Sequence, residues 1–204
     1  MLLDNLLPAW EFREYHSITI EAPPHRVFAA IKQVTPDEVP LFRILFTIRA
    51  LPALILHKAY PPFRGKQSTF EQALQSGFTL LAEQPAQELV FGIIGQFWRI
   101  KSNVLTIANA EEFMAFEAPG FAKAAMNFVV RETGNGSWSR LATETRIHIP
   151  DLRTRKSFFA YWFVIRWGSS LIRRMWLRSI KRRAERHKED GEHEPSGTCG
   201  SVPS

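Results

Sequence analysis

The clearest periodicity in the chain lies in its last long stretch, residues 151–188. Apolar or small side chains recur there at steps of three and four residues, which is the period of one face of an α-helix. These positions are Phe158, Trp162, Ile165, Ser169, Ile172 and Trp176. The pattern predicts one long helix, begun by Asp151 as its cap, whose apolar face another layer of the fold must cover.

Earlier segments alternate between apolar and polar residues, as half-buried strands do. Residues 14–21 place His16, Ile18 and Ile20 on one face, and the prolines at 23 and 24 end this strand and open a short helix. Residues 78–83 and 88–98 flank a short turn and predict a hairpin. Gly92 and Gly95 within its second strand favour a bend or a bulge.

A second hairpin is marked by the turn sequence TGNGS at 133–137, between apolar-rich strands at 123–132 and 138–149. Residues 104–108 are a candidate strand. Capping patterns predict helices that begin near Thr35, Ser68 and Asn109. The predicted order is a strand, short helices, a run of antiparallel strands and one long helix, which is an α+β arrangement in a single domain.

The net charge of +6 belongs to one element. Residues 1–150 hold 14 basic and 14 acidic side chains, whereas 151–188 hold 12 basic and two acidic ones. Three interpretations follow: a solvated face, a contact with an anionic membrane surface, or nucleic-acid binding, which is disfavoured because no recognition motif is present. The membrane interpretation depends on one group of cations: Arg173, Arg174, Arg178, Lys181, Arg182 and Arg183.

The single cysteine, Cys199, excludes an internal disulfide and fits a reducing compartment. The first residues, MLLDNLLPAW, lack the basic region of a signal peptide, and no run of 18 apolar residues predicts a membrane span. We therefore expect a cytoplasmic protein, with a peripheral membrane contact as the alternative.

Several stretches resemble the START-like superfamily, also called SRPBCC. They are HSITIEAPPHRVFAAIKQV, ELVFGIIGQFW, APGFAKAAMNFVV, TETRIHIPD and FFAYWFVIRWGSSLIRRMWLRSIKR. The resemblance implies the helix-grip fold, in which a curved antiparallel sheet of six or seven strands wraps around the C-terminal helix. It divides the chain into an N-terminal extension (1–12), the domain (13–188) and a disordered acidic tail (189–204).

The resemblance also implies a mostly apolar cavity between sheet and helix that binds a lipid, a sterol-like or an aromatic, polyketide-like molecule. The expected lining residues are Trp98, Asn127, Phe128, Phe158, Trp162, Ile165, Ile172 and Trp176. The alternative is that the aromatic side chains pack against each other and leave no void. Binding without catalysis is the leading hypothesis, and a cyclase or dehydratase enzyme in the same cavity is the second.

The candidate catalytic residues are His16, Glu144 and Arg146, with Asn127 expected nearby across the second hairpin. This cluster depends on strand register, because Glu144 and Arg146 share one strand face and a shift of one residue turns both the other way. An ordinary ion pair is the alternative. No metal-binding or cofactor-binding motif occurs, so neither a metal nor a cofactor is expected.

Overall fold

A computed structural model describes residues 1–39, 68–99 and 103–191, with side chains as far as residue 186. Its helices are α1 (Leu2–Leu6), α2 (Pro24–Gln33), α3 (Thr69–Gln75), α4 (Ala110–Ala115) and α5 (Leu152–Gly191), with a 3-10 turn at Pro36–Glu38. Its strands are β1 (Phe12–Ile20), β2 (Thr79–Gln84), β3 (Glu88–Gly95), β4 (Val104–Leu105), β5 (Ala122–Thr133) and β6 (Trp138–His148). The predicted helix behind Thr35 continues into 40–67, which lies outside the described residues.

The strands form one antiparallel sheet of six in the order β1-β6-β5-β3-β2, with β4 paired to β3. The long helix α5 follows β6 directly and packs along β1 and α2. The prediction of an α+β helix-grip fold with six or seven strands is therefore confirmed, with six strands.

Both predicted hairpins form. Between β5 and β6, Gly134 and Gly136 have φ of 69° and 80°, a backbone region that glycine adopts without a steric cost. The irregularity of the other hairpin lies in β2, between Leu80 and Ala82, and not in β3 where the glycines are. Gly92 instead leaves space, because a Cβ atom there would lie 2.5 Å from Leu81 Cδ1 and 2.9 Å from Phe113 Cε2.

The sheet is covered on both faces. Its inner face, defined here as the one toward α2 and α5, carries Ile20, Phe128 and Leu141 against Trp176 and Ile180. Its outer face packs against α1 and α4 through residues such as Leu3 and Phe113. Even-numbered residues of β1 and β5, and odd-numbered residues of β6, point to the inner face.

Two elements extend across the predicted domain boundaries. Residues 1–12 are not merely an extension, because α1 buries Leu3 and Leu6 and β1 already begins at Phe12. The long helix continues to Gly191, so residues 189–191 belong to it and not to the predicted tail. The remainder of that tail, 192–204, lies outside the described residues.

Candidate functional site

The predicted lining residues separate into two aromatic groups along α5. At its N-terminal half, Phe158 is buried between Phe12, Trp98 and Trp162, with ring centroids 5.0, 5.5 and 6.1 Å away. Aromatic contacts at these separations are favourable in themselves. We name the set Phe12, Phe97, Trp98, Phe158, Tyr161 and Trp162 the aromatic cluster. Trp98 and Trp162 thus both pack on Phe158.

Further along α5, Trp176 meets Phe128 edge to face, with 5.0 Å between the ring centroids. Both rings are buried in the main core. Ile165 and Ile172, on the stretch of α5 between these two groups, are only half-buried. A ligand-binding role of these residues stays a prediction.

A group of polar side chains lies between the aromatic cluster and the main core, on the inner face. Its centre is Glu14 on β1, whose Oε1 lies 2.8 Å from His16 Nε2 and whose Oε2 accepts a hydrogen bond from Ser169 Oγ at 2.9 Å. Ser170 Oγ is 3.4 Å from the same nitrogen of His16. Glu14 is buried, although a carboxylate at such a position is costly unless it is hydrogen-bonded.

Arg173 of α5 completes this polar belt from the side of β5 and β6. Its Nη1 donates to Thr143 Oγ1 at 3.2 Å and lies 2.8 Å from Met126 Sδ. Burial lowers the pKa of Arg173, and the charge of Glu14 opposes that shift. We use the name polar belt for Glu14, His16, Thr143, Ser169, Ser170 and Arg173.

Two buried polar atoms in this region have no hydrogen-bond partner among the described residues. They are Arg173 Nε and Thr145 Oγ1, and Thr145 faces Glu14 across the β1–β6 pairing. Buried polar groups are almost always satisfied by protein, water or a ligand. A bound water molecule or a polar group of a ligand would satisfy them.

The structure does not bring His16 together with Glu144, Arg146 and Asn127. His16 pairs with Thr143, and Glu144 pairs with Tyr15 and Asn127, so Glu144 points to the outer face and His16 to the inner one. The sheet itself separates them, because successive side chains of a strand point to opposite faces. The three outer-face residues are nevertheless buried and not exposed to solvent.

On the outer face these residues form a network that holds α1. Glu144 accepts hydrogen bonds from Arg13 Nε and Arg146 Nε, both at 2.7 Å, and its main-chain amide donates to Asn127 Oδ1. Asn127 in turn donates to Glu88, a buried carboxylate on β3. This network is structural, since it lies under α1 and faces away from the polar belt.

Glu88 and Arg146 make the direct contacts to α1. The carboxylate of Glu88 accepts hydrogen bonds from the amides of Leu2 and Leu3, at 2.7 and 3.2 Å, in the first turn of the helix. Arg146 donates to the carbonyl of Leu7 at 3.1 Å and to Asp4 Oδ1 at 2.6 Å. A negative group at a helix start and a positive group near its end both suit the helix dipole.

A cleft of about 310 Å³ opens beside α1 on this same outer side. Its walls are mostly polar and include Asn5, Gln84, Gln87 and Arg131. It is separated from the polar belt by the sheet, so the volume of the cleft and the candidate chemistry lie in different places. The polar belt is the better candidate site, because Glu14 is buried and Arg173 Nε has no hydrogen-bond partner among the described residues.

Two further properties of the described residues bear on the site. They contain no group of three His, Cys, Asp or Glu side chains placed to hold a metal ion. None of their helices is long and apolar enough to cross a membrane.

The cations predicted to meet a membrane do not form one exposed group. Arg173 belongs to the interior, Lys181 donates to the Thr19 carbonyl, and Arg182 and Arg183 bond to Glu38. Of the six, Arg174, Arg178 and Arg182 are exposed and form no ion pair with a described residue. A membrane contact through the six cations stays a prediction.

The fold defines the protein as an α+β helix-grip domain with a polar belt between its sheet and its long helix. No family model and no curated protein matches the chain. Among solved structures, protein MLL2253 from Mesorhizobium loti aligns with 16% identity over 86% of this chain and 98% of its own, with a TM-score of 0.40. The Zhui aromatase/cyclase from Streptomyces sp. R1128 aligns with 12% identity over 92% and 99%, with a TM-score of 0.31. At these values the similarity does not extend to a shared activity.

Sequence reasoning found His16 but missed its partners. The alternation along β1 that puts His16 inward also puts Glu14 inward, so this pair was accessible from the sequence. Ser169 lies on the predicted inner stripe of α5, where its small size alone is enough to fit the pattern. The sequence does not distinguish Arg173 from the other basic residues of α5, since it is one of 12 cations in the stretch 151–188.

Proposed function

We propose that the protein binds a small molecule with an apolar body and an acidic group, held between the inner face of the sheet and α5. The observation that carries the proposal is the state of Arg173. Its Nη1 and Nε point toward the interior, where the described residues offer the neutral acceptors Met126 Sδ and Thr143 Oγ1 to Nη1. Among the described residues no carboxylate oxygen lies within 4.0 Å of the guanidinium.

Although the Arg173 side chain is half-buried, its Nε is shielded from water and has no direct partner among the described residues, which is unfavourable for a charged group. A carboxylate, a phenolate or a comparable group on a ligand would reduce that cost by accepting a hydrogen bond from Nε, the guanidinium nitrogen that has no partner among the described residues. The aromatic cluster and the Phe128–Trp176 pair on either side of the belt offer apolar surface to the remainder of such a molecule. This arrangement favours an amphipathic ligand over a purely hydrocarbon one.

The test uses two probes that differ only at their polar end, oleate and oleyl alcohol. We expect the protein to bind oleate more tightly, because only oleate can neutralise Arg173, by about tenfold if one charged hydrogen bond is gained. Arg173→Met should abolish the difference between the probes. The matched control Arg174→Met changes an exposed neighbour on α5 and should leave it intact. Equal affinities for both probes in the native protein would overturn the proposal.

A specific observation also favours a second function, acid–base catalysis. Glu14 and His16 are hydrogen-bonded to each other inside the protein, which is the arrangement of a base and the group that orients it. In that case the reaction would begin with His16 removing a proton from a carbon next to a carbonyl group, as cyclisations and dehydrations require. These two residues replace the predicted set of His16, Glu144 and Arg146.

Benzoylacetone, a small aromatic diketone, is a suitable probe of this second function. Acceleration of its hydrogen–deuterium exchange by the protein, lost in His16→Gln but retained in Glu144→Gln, would support catalysis. If benzoylacetone exchanged its hydrogen at the same rate with and without protein, the result would contradict catalysis and favour binding alone.

A further inference from the structure

The outward side of the N-terminal half of α5 carries large apolar side chains that face water. Phe163 is 68% exposed and Trp167 is 78% exposed, although aromatic residues of this size are usually covered. We name the whole set the apolar stripe: Leu152, Phe159, Phe163, Val164, Trp167 and Leu171. A contiguous exposed patch of this kind commonly marks an interaction site.

The stripe is continuous because four of its members recur at intervals of four residues. Phe159, Phe163, Trp167 and Leu171 follow one another at successive turns of α5 and lie on one side of it. They extend over roughly 18 Å of helix, at 1.5 Å per residue. The opposite side of the same turns is the one that packs into the aromatic cluster and the polar belt.

Exposed cations surround the stripe. Arg153 and Lys156 lie before it, Arg166 lies at its flank, and Arg174 and Arg178 lie after it. None of these five forms an ion pair with any residue the structure describes. No acidic residue occurs anywhere between Leu152 and Ala184.

We propose that this face of α5 docks on an anionic lipid surface. The apolar stripe would enter the boundary between headgroups and acyl chains, as the apolar faces of interfacial helices do. The surrounding cations would meet the lipid phosphates, which attract basic residues placed near a membrane. The proposal is independent of the ligand, since none of these residues belongs to the polar belt.

The distribution of charge argues against two other partners for this face, a second copy of the chain and nucleic acid. In a dimer through the same stripe, the helices would bring Arg153 and Lys156 of one copy near cations of the other in either orientation, which is repulsive. Nucleic acid would require the cations to form a continuous track, whereas here apolar side chains separate them into two groups. A lipid surface satisfies both the apolar centre and its charged borders.

The experiment is co-sedimentation of the full chain with vesicles of phosphatidylcholine alone, or with about a third of that lipid replaced by phosphatidylglycerol. We expect binding to the anionic vesicles that weakens as salt is raised, because screening acts on the arginine contacts. The double variant Arg174→Gln/Arg178→Gln should lower the partition coefficient by roughly fivefold per arginine. As a control, Arg131→Gln/Arg140→Gln removes two exposed arginines from β5 and β6.

The apolar component needs its own variant. Phe163→Ser/Trp167→Ser should reduce binding at least tenfold without lowering the unfolding temperature, since both side chains are mostly exposed. Trp138→Ser, an exposed tryptophan at the start of β6, is the matched control and should bind as the native protein does.

Three outcomes would overturn the proposal. The first is no binding to anionic vesicles, and the second is binding that neither double variant weakens. The third is a native dimer that Phe163→Ser/Trp167→Ser converts to a monomer, which would assign the stripe to self-association. Loss of the preference for oleate over oleyl alcohol in Arg173→Met, with unchanged vesicle binding, would show that ligand binding and membrane docking use different residues.

Discussion

Arg146 and Asp4 connect the beginning of the chain to its last strand, with 2.6 Å between Nη2 and Oδ1 across 142 positions of sequence. The guanidinium of Arg146 also lies 4.1 Å from the ring centroid of Trp10 and donates to the Leu7 carbonyl. One buried side chain thus holds three parts of the N-terminal segment. The N-terminal helix is an integral part of the fold and covers the outer face of the sheet.

Arg146→Met should destabilise the protein by about 3 kcal/mol, because it leaves the buried Glu144 with one cationic partner fewer and releases Leu7. The loss should appear in urea unfolding and as faster amide exchange at residues 3–7. Arg131→Met, at an exposed arginine of β5, should stay within about 0.5 kcal/mol of the native protein. Unchanged exchange at residues 3–7 in Arg146→Met would contradict this role.

Acid should loosen the same contact. The hydrogen bond from Arg146 lowers the pKa of Asp4 below its ordinary 3.8. Burial raises the pKa of Glu144, but hydrogen bonds from Arg13 and Arg146 outweigh that effect and lower it below 4.5. Since both folded values are depressed, their stabilisation is present above the ordinary values and is lost as pH falls through the folded ones.

We therefore expect the unfolding free energy to fall below a pH of about 4, measured by urea unfolding at successive pH values. Asp4→Asn should flatten part of this dependence. In an Arg146→Met background the same substitution should change little, because its partner is gone. If Asp4→Asn changed the pH dependence of the unfolding free energy equally in both backgrounds, the contribution of Asp4 would not depend on Arg146.

Gly92→Ala should destabilise the protein by about 1–3 kcal/mol, because the new methyl group would overlap Leu81 and Phe113 on the outer face. The measurement is chemical unfolding. Leu81→Ala alone also costs stability, but combined with Gly92→Ala it should cost less than the sum of the two, since the shortened side chain makes room. If the losses of unfolding free energy of the two substitutions were strictly additive, the close contact of position 92 with Leu81 would not be the reason for the glycine.

Arg173→Met should stabilise the ligand-free protein, by about 1 kcal/mol, since methionine buries the same volume without a desolvated charge. This result would accompany the loss of oleate discrimination, a combination typical of functional residues that reduce stability. The neighbouring exposed substitution Arg174→Met should be close to neutral. A marked loss of stability in Arg173→Met would instead make Arg173 a structural residue.

The fold was accessible from the sequence because its signals are local. Alternation along β1 and β6, the two glycines of the β5–β6 turn and the three-and-four spacing of α5 each lie within one element. The helix α1 was missed because it has five residues and depends on Glu88 and Arg146, more than 80 positions away. No local pattern indicates such distant partners.

The candidate site was only partly accessible for a related reason. Which residues share a face within a strand follows from alternation, so His16 and Glu14 belong together. Whether His16 meets Glu144 depends on the pairing of β1 with β6, and the observed register sets His16 opposite Thr143. The inward direction of Arg173 depends on how α5 packs, which its uniform basic composition does not reveal.

The distribution of charge on β6 also has a consequence for how the chain reaches its native state. If β6 slipped by one position against β5, Glu144 and Arg146 would face the interior beside α5, and Leu141 and Ile147 would turn outward. In this misaligned pairing the charged groups of Glu144 and Arg146 would lie in apolar surroundings, which is unfavourable. Once α5 covers the inner face, the two ions therefore penalise the slipped register, so the ionic side chains of β6 help to specify the native pairing of this hairpin.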